Sequence, residues 1–223
     1  MKHILLFMIL SICISSYGKE NIPSKEFVEL LKENAHQKFL GTNDPVTLIN
    51  SIKLLADNND YAAQFLYGLV LSRSDSISSE LYLSKSANSG CAGSKMALGV
   101  IFMNRNDTSK GFALIKAAAE GGDAMAQVAI SGNYERGEHG LKKNKLKAYA
   151  WLKLAEKQTF SHGAHLAIKE ALNNLSLSGN QLTRAKKEYA NLSKKIKTYD
   201  YYFCGQMNLD TSKDPNIEYY FKI

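Results

Sequence analysis

Apolar positions along this chain recur at helical spacing and are separated by short polar turns. From Ala126 to Glu156, the small residues Ala126, Ala129 and Ser131 interleave with Val128 and Ile130 up to Tyr134. Gly137 and Gly140 interrupt the pattern. Leu146, Ala148, Tyr149, Trp151, Leu152, Leu154 and Ala155 then restore an apolar face at mixed three- and four-residue spacing. This predicts two helices joined by a glycine-marked turn, with one apolar side that a neighbour must cover. Upstream, Pro23 and Ser24 predict the start of a helix carrying Phe27, Leu30, Leu31, Phe39 and Leu40. Gly41 to Asp44 predict a break, and Pro45 suits the first turn of a helix with Val46, Ile49, Ile52, Leu54 and Leu55 as its apolar side. Asp57 to Asp60 predict a turn. Downstream, Ala164–Leu177 and Leu182–Lys197 predict two more helices, broken apart at Gly179. The second is very basic and carries Leu182, Ala185, Tyr189, Leu192 and Ile196 on one side, leaving the polar outward face that the last helix of an array needs.

Aligning the segments that end at Leu71, Phe102 and Tyr134 reveals a repeat. A small residue recurs at Ala63, Ser94 and Ala126, at spacings of 31 and 32, and a second at Gly68, Gly99 and Ser131. Asn59, Gly90 and Gly122 lie four residues ahead of the first small position, where either residue type can take the left-handed conformation that ends a preceding helix. Leu55-Ala56, Ser86-Ala87 and Ala118-Ala119 precede those turns. Small residues at fixed points let two helices approach backbone to backbone. A glycine within a helix costs about 1 kcal/mol relative to alanine, so Gly68 and Gly99 are expected to face something that excludes a side chain.

The run from Tyr134 to Trp151 (Y-x-x-G…G-L-x-x-N-x-x-K-A-Y-x-W) resembles the Sel-one-like repeat, a relative of the tetratricopeptide repeat, as does KAAAEGGDAMAQ from Lys116 to Gln127. The resemblance covers about Leu55 to Leu166. Gly137 and Gly140 are separated by two residues where the family usually has one, and the first two repeats are short and lack the glycine-rich loop. The resemblance implies an all-α fold, a solenoid of α/α hairpins with a concave inner face, acting as a protein-binding scaffold. In such repeats the first helix of each hairpin tends to line the concavity. That assigns protein-binding roles to Gln64, Leu66, Val70, Lys95, Ala97, Ile101, Gln127, Ala129 and Asn133, with interior packing as the alternative for several.

Composition changes the picture at the ends. The 223 residues are 45% hydrophobic, enough for a real core. MKHILLFMILSICISSYG reads as a secretory signal peptide: Lys2, an apolar run from Ile4 to Ile14, then Ser16 and Gly18 before a cut. The run is short for a membrane span, although an uncleaved anchor is the alternative. The expected organisation is a signal peptide over 1–18, N-terminal helices over 19–54, repeats over 55–166, capping helices over 167–198 and an aromatic tail over 199–223. Cleavage leaves Cys91 and Cys204, which either pair in an oxidising compartment or stay separate thiols. The tail, with Tyr201, Tyr202, Tyr219 and Tyr220, reads either as a cover for the end of the stack or as a docking arm. The formal charge of +7 reads as a modest excess spread along the chain. No aromatic–basic motif of a nucleic-acid reader accompanies it.

Residues that could carry chemistry do not assemble in the sequence. His162 and His165 lie three apart without further ligands, His36 and His139 are lone, and Ser161 beside His162 has no orienting acid. The GEHG run lacks the Lys-Ser/Thr of a phosphate loop. Arg73, Arg105 and Arg136 recur near the ends of first helices, where each suits the negative helix terminus or joins a cationic stripe. No catalytic set, metal site or cofactor is expected. The reading is an exported, periplasmic or secreted bacterial protein-binding module without a membrane span after cleavage. Within that class an immunity or inhibitor protein neutralising a secreted toxin is favoured, with a periplasmic scaffold or host-interacting virulence factor as alternative and a cell-wall or β-lactam hydrolase last.

Overall fold

The structure is a computed structural model that describes residues 24–39, 41, 44–158 and 162–196. The expected signal segment and the aromatic tail, with Tyr201, Tyr202, Cys204, Tyr219 and Tyr220, lie outside the described residues. Among the described residues there are ten helices and no strand: α1 (Lys25–Phe39), α2 (Pro45–Asp57), α3 (Tyr61–Leu71), α4 (Ser76–Asn88), α5 (Ala92–Asn104), α6 (Thr108–Glu120), α7 (Ala124–Arg136), α8 (Lys145–Gln158), α9 (His162–Asn174) and α10 (Gly179–Ser193). They form two compact units, residues 24–91 (α1 to α4) and residues 92–196 (α5 to α10). No described helix is long and apolar enough to cross a membrane.

Most of the described helices start where a side chain takes up orphan N–H groups. Ser24 Oγ accepts from Phe27 N–H at 3.1 Å, and Asp44 accepts from Val46 and Thr47 ahead of Pro45. Asp60, Asp75, Asp107 and Asp123 cap α3, α4, α6 and α7. Asn144 accepts from Leu146 and Lys147 at the start of α8. Each such cap stabilises by about 1 kcal/mol. Between hairpins the chain turns through the left-handed region at Asn59 (φ 65°), Gly90 (φ 96°) and Gly122 (φ 97°), the three positions aligned in the repeat.

Within each hairpin, small residues set how closely the backbones approach. A Cβ on Gly68 would lie 2.8 Å from Leu83 Cγ, and one on Gly99 would lie 2.6 Å from Ile115 Cγ1 and 3.0 Å from the Gly111 carbonyl. At the third crossing Ser131 replaces glycine, and its hydroxyl donates to the Ala148 carbonyl at 3.0 Å. Ser79 donates to the Gly68 carbonyl at 2.7 Å from the opposite side of the first crossing. These buried hydroxyls add specificity where a methyl group would have no partner.

In the 92–196 unit, the apolar residues of α8 divide between two clusters. Trp151 and Leu154 join Ala92, Ile115, Ala118, Ala126, Ile130 and Ile196, and Ala148, Leu152 and Ala155 join Ile168 and Leu175. Burying each large side chain stabilises by about 1.5–3 kcal/mol. One expected boundary is corrected. Gly179 does not break a helix but starts α10, with Ser178 N–H donating to Gln181 Oε1 at 3.0 Å ahead of it. The break comes earlier, where α9 ends at Asn174 and Ser176 takes φ 49°.

Candidate functional site

Several residues proposed to contact a partner turn out to hold the hairpins together. In α3, Asp60 accepts from Ser24 N–H (2.6 Å) and Ala63 N–H (2.7 Å), while Gln64 donates from Nε2 to the Ala56 carbonyl at 3.2 Å. In α7, Asp123 accepts from Ala126 N–H at 2.7 Å and Gln127 donates to the Ala119 carbonyl at 3.2 Å. The same Asp-x-x-x-Gln device thus caps a new helix and takes up a carbonyl at the end of the previous one. Gln64 is 3% exposed and Gln127 fully buried. Burial raises the Asp123 carboxyl to about 6, against the lowering effect of the Ala126 and Met125 N–H groups. In α5 the two positions hold Cys91 and Lys95. Cys91 is fully buried and disulfide-bonded, and Lys95 is half-buried. Its expected partner, Cys204, lies outside the described residues.

Leu66 and Asn133 are also buried. The half-buried members are Val70 in the 24–91 unit and Lys95, Ala97, Ile101 and Ala129 in the other. Val100 and Met125, exposed at 41% and 64% on α5 and α7, were not anticipated. Neither was a polar–aromatic cluster on the 24–91 unit. There Tyr82 donates to Asp57 at 2.5 Å, Lys53 pairs with Asp57, and Tyr67 meets Tyr82 edge-on at 4.9 Å. Lys53 and Tyr82 beside Asp57 hold its carboxyl below the usual range. A cleft of about 390 Å³ in the same unit is lined by Ser24, Glu26, Leu55, Asn58, Asn59, Asp60 and Tyr61. Its Asp60 carboxylate is already engaged as a cap.

His139, read as lone, stacks on Phe112 with ring centroids 4.9 Å apart, joining the Gly137–Gly140 turn to α6. The side chain of His162 lies outside the described residues and His165 is half-buried. Among the described residues no group of three or more His, Cys, Asp or Glu could hold a metal. Arg136 pairs with Glu138 at 2.8 Å. The net charge is not spread out as the chain average implied. Residues 24–91 carry six Lys/Arg and eight Asp/Glu, whereas residues 92–196 carry seventeen and eight. The sequence signals were present: an Asp ahead of the runs of α2, α3, α4, α6 and α7, and a charge count taken per unit rather than over the chain.

No family model and no curated protein matches the chain. Among solved structures, it is similar to the crystal structure of a protective antigen present in uropathogenic Escherichia coli strains, which displays a Sel-one-like repeat (SLR) fold. The TM-score is 0.58 and the identity 20%, over 73% of this chain and 37% of that one. The chain therefore spans 37% of that antigen's length. The fold is the α/α-hairpin repeat of the Sel-one-like, tetratricopeptide-like kind.

Proposed function

We propose that this chain works by binding another protein, as an exported interaction module without catalytic activity. The observation that carries this reading is the fold itself. It is an array of helical hairpins in which the polar groups of the helix starts, Asp60, Gln64, Asp123 and Gln127, complete the backbone hydrogen bonding. What remains for function is the outer surface of the helices and turns. Within this class we favour an immunity or inhibitor protein that silences a secreted bacterial toxin. A signal-like N-terminus and a small repeat domain support that choice. A second reading, an envelope scaffold or host-interacting factor, draws on the similarity to a protective antigen.

The test is a pull-down with the chain from Lys19 onward, kept oxidised, against lysate and secreted protein of its own organism. One stoichiometric partner whose hydrolytic or toxic activity is silenced on binding supports the inhibitor reading. Envelope or host proteins recovered without such activity support the second reading. Turnover of a substrate by the isolated chain would refute both.

A further inference from the structure

We infer that the turn-bearing edge of the 92–196 unit, around Lys110, Lys142, Lys143 and Lys147, docks an acidic segment of a protein partner. The inference rests on the interaction-module reading and names the chemistry of the partner. Three observations converge on this edge, where the C-terminal ends of α5 and α7 meet the N-terminal ends of α6 and α8.

The first is charge. The unit has nine more basic than acidic residues, while residues 24–91 have two more acidic than basic ones. Two carboxylates at the edge are already engaged. Asp107 caps α6 through Lys110 N–H, and Glu138 pairs with Arg136. Glu135 is half-buried. Lys142 and Lys143 stand exposed on the turn. Steering toward an anionic surface follows from such an uncompensated field.

The second is how the cations are held. Lys110 lies over the Phe102 ring with its Nζ 3.7 Å from the centroid, and Lys147 lies 5.4 Å from the Tyr134 centroid. A ring face restrains a lysine without neutralising it. The turn is fixed as well, by Leu141 N–H donating to the Glu138 carbonyl (2.9 Å), Asn144 N–H donating to the Tyr134 carbonyl (2.7 Å), and His139 stacked on Phe112. Ordering before contact lowers the entropic penalty of binding.

The third is what the rings are doing. Binding of single-stranded nucleic acid relies on open aromatic faces on which bases stack. Here Phe102 is covered by Lys110, Tyr134 by Lys147 and Phe112 by His139. The edge offers the ring-held ammonium groups of Lys110 and Lys147 beside the exposed Lys142 and Lys143, rather than stacking platforms, which suits the carboxylates of an acidic polypeptide.

The experiment is fluorescence anisotropy at low ionic strength with the oxidised chain from Lys19 and three probes: a glutamate-rich peptide of about a dozen residues, a single-stranded oligothymidine of equal charge, and phosphatidylglycerol vesicles. Two variants carry the same change in net charge, K142E/K143E on the turn and K186E/K187E on the exposed part of α10. All four positions are exposed, and unchanged melting curves confirm that both variants fold. The expected result is peptide binding that weakens by roughly tenfold or more in K142E/K143E and by less than about threefold in K186E/K187E. Equal weakening would show only bulk charge. Tighter binding of the oligonucleotide or the vesicles than of the peptide, or no binding of any probe, would overturn the assignment. If a partner captured through the interaction-module reading binds K142E/K143E as tightly as the parent chain, this edge is wrong while that reading stands.

Discussion

The crossing of α5 and α6 makes a prediction whose sign runs against helix propensity. Replacing Gly99 by alanine gives α5 a better helix former, worth about 1 kcal/mol. The new methyl group would sit 2.6 Å from Ile115 Cγ1, 3.0 Å from the Gly111 carbonyl and 3.2 Å from Ile115 N. Two of those three contacts are backbone, and the third belongs to a β-branched side chain only 5% exposed, stiff at χ1. Nothing there can swing aside, so α6 must shift bodily. Overpacking of this kind costs roughly 1–3 kcal/mol. With rigid neighbours the upper end applies, and the net loss is about 2 kcal/mol. Gly132→Ala on α7 is the matched control. Its methyl group would meet only the guanidinium of Arg136, at 3.0 and 3.4 Å, the far end of an exposed side chain. Displacing Arg136 sacrifices an exposed ion pair worth well under about 1 kcal/mol, so Gly132→Ala is neutral or stabilising by roughly 0.5 kcal/mol. Urea and thermal unfolding followed by circular dichroism should show Gly99→Ala melting roughly 4–8 °C lower and Gly132→Ala unchanged or slightly higher. If Gly99→Ala matched or exceeded the parent chain, the backbones would not be in contact, and the packing account of the repeat would fail.

Three further outcomes are expected. Because the folded-state pKa of Asp123 is raised from 3.8 to about 6, its contribution to stability is complete below about pH 4 and disappears as pH rises through 6. Asp123→Asn keeps a capping acceptor without the charge, so the stability of the parent relative to this variant should fall by roughly 2–3 kcal/mol from acid to neutral pH; a constant difference across urea titrations would contradict the buried carboxylate. Ser131→Ala removes the buried bond to the Ala148 carbonyl, and a loss of about 1 kcal/mol is expected by urea unfolding, against no change if that carbonyl finds another donor. Non-reducing peptide mapping should join Cys91 to Cys204, and Cys91→Ala should lower stability by about 2–5 kcal/mol; a map joining Cys91 to Cys13 would refute both this pairing and removal of the N-terminal segment.

Local rules made much of the fold legible, while partners distant in sequence were not. Asn59, Gly90 and Gly122 could be recognised because only certain residues tolerate positive φ. Gly68, Gly99 and Ser131 could be recognised because close backbone approach excludes larger side chains. Gln64 and Gln127, read as binding-face or interior residues, are buried on the Ala56 and Ala119 carbonyls; a polar residue on a helix gives no sign of whether it faces water or an orphan carbonyl. Their spacing of four from Asp60 and Asp123 was the available signal. Gly179 was read as a breaker from its intrinsic propensity, whereas Ser178 and Gln181 set a helix start around it. The stack of His139 on Phe112 depends on how two hairpins meet, which no spacing within either one reveals.

The order of packing along the chain has a kinetic consequence. In the 92–196 unit α5 packs mainly on α6, α6 on α7 and α7 on α8, and α10 reaches back past α9 to lie on α8. Contacts between sequence neighbours close short loops and form fast. Each hairpin can therefore mature as soon as its own residues are available, whereas Trp151 and Leu154 wait for Tyr189, Leu192 and Ile196 to arrive. Trp151 is the only tryptophan in the chain, so its emission should report the last event of folding. Pulled or digested from the C-terminal side, the unit should open at α10 first and then unravel hairpin by hairpin, in steps rather than in one collapse.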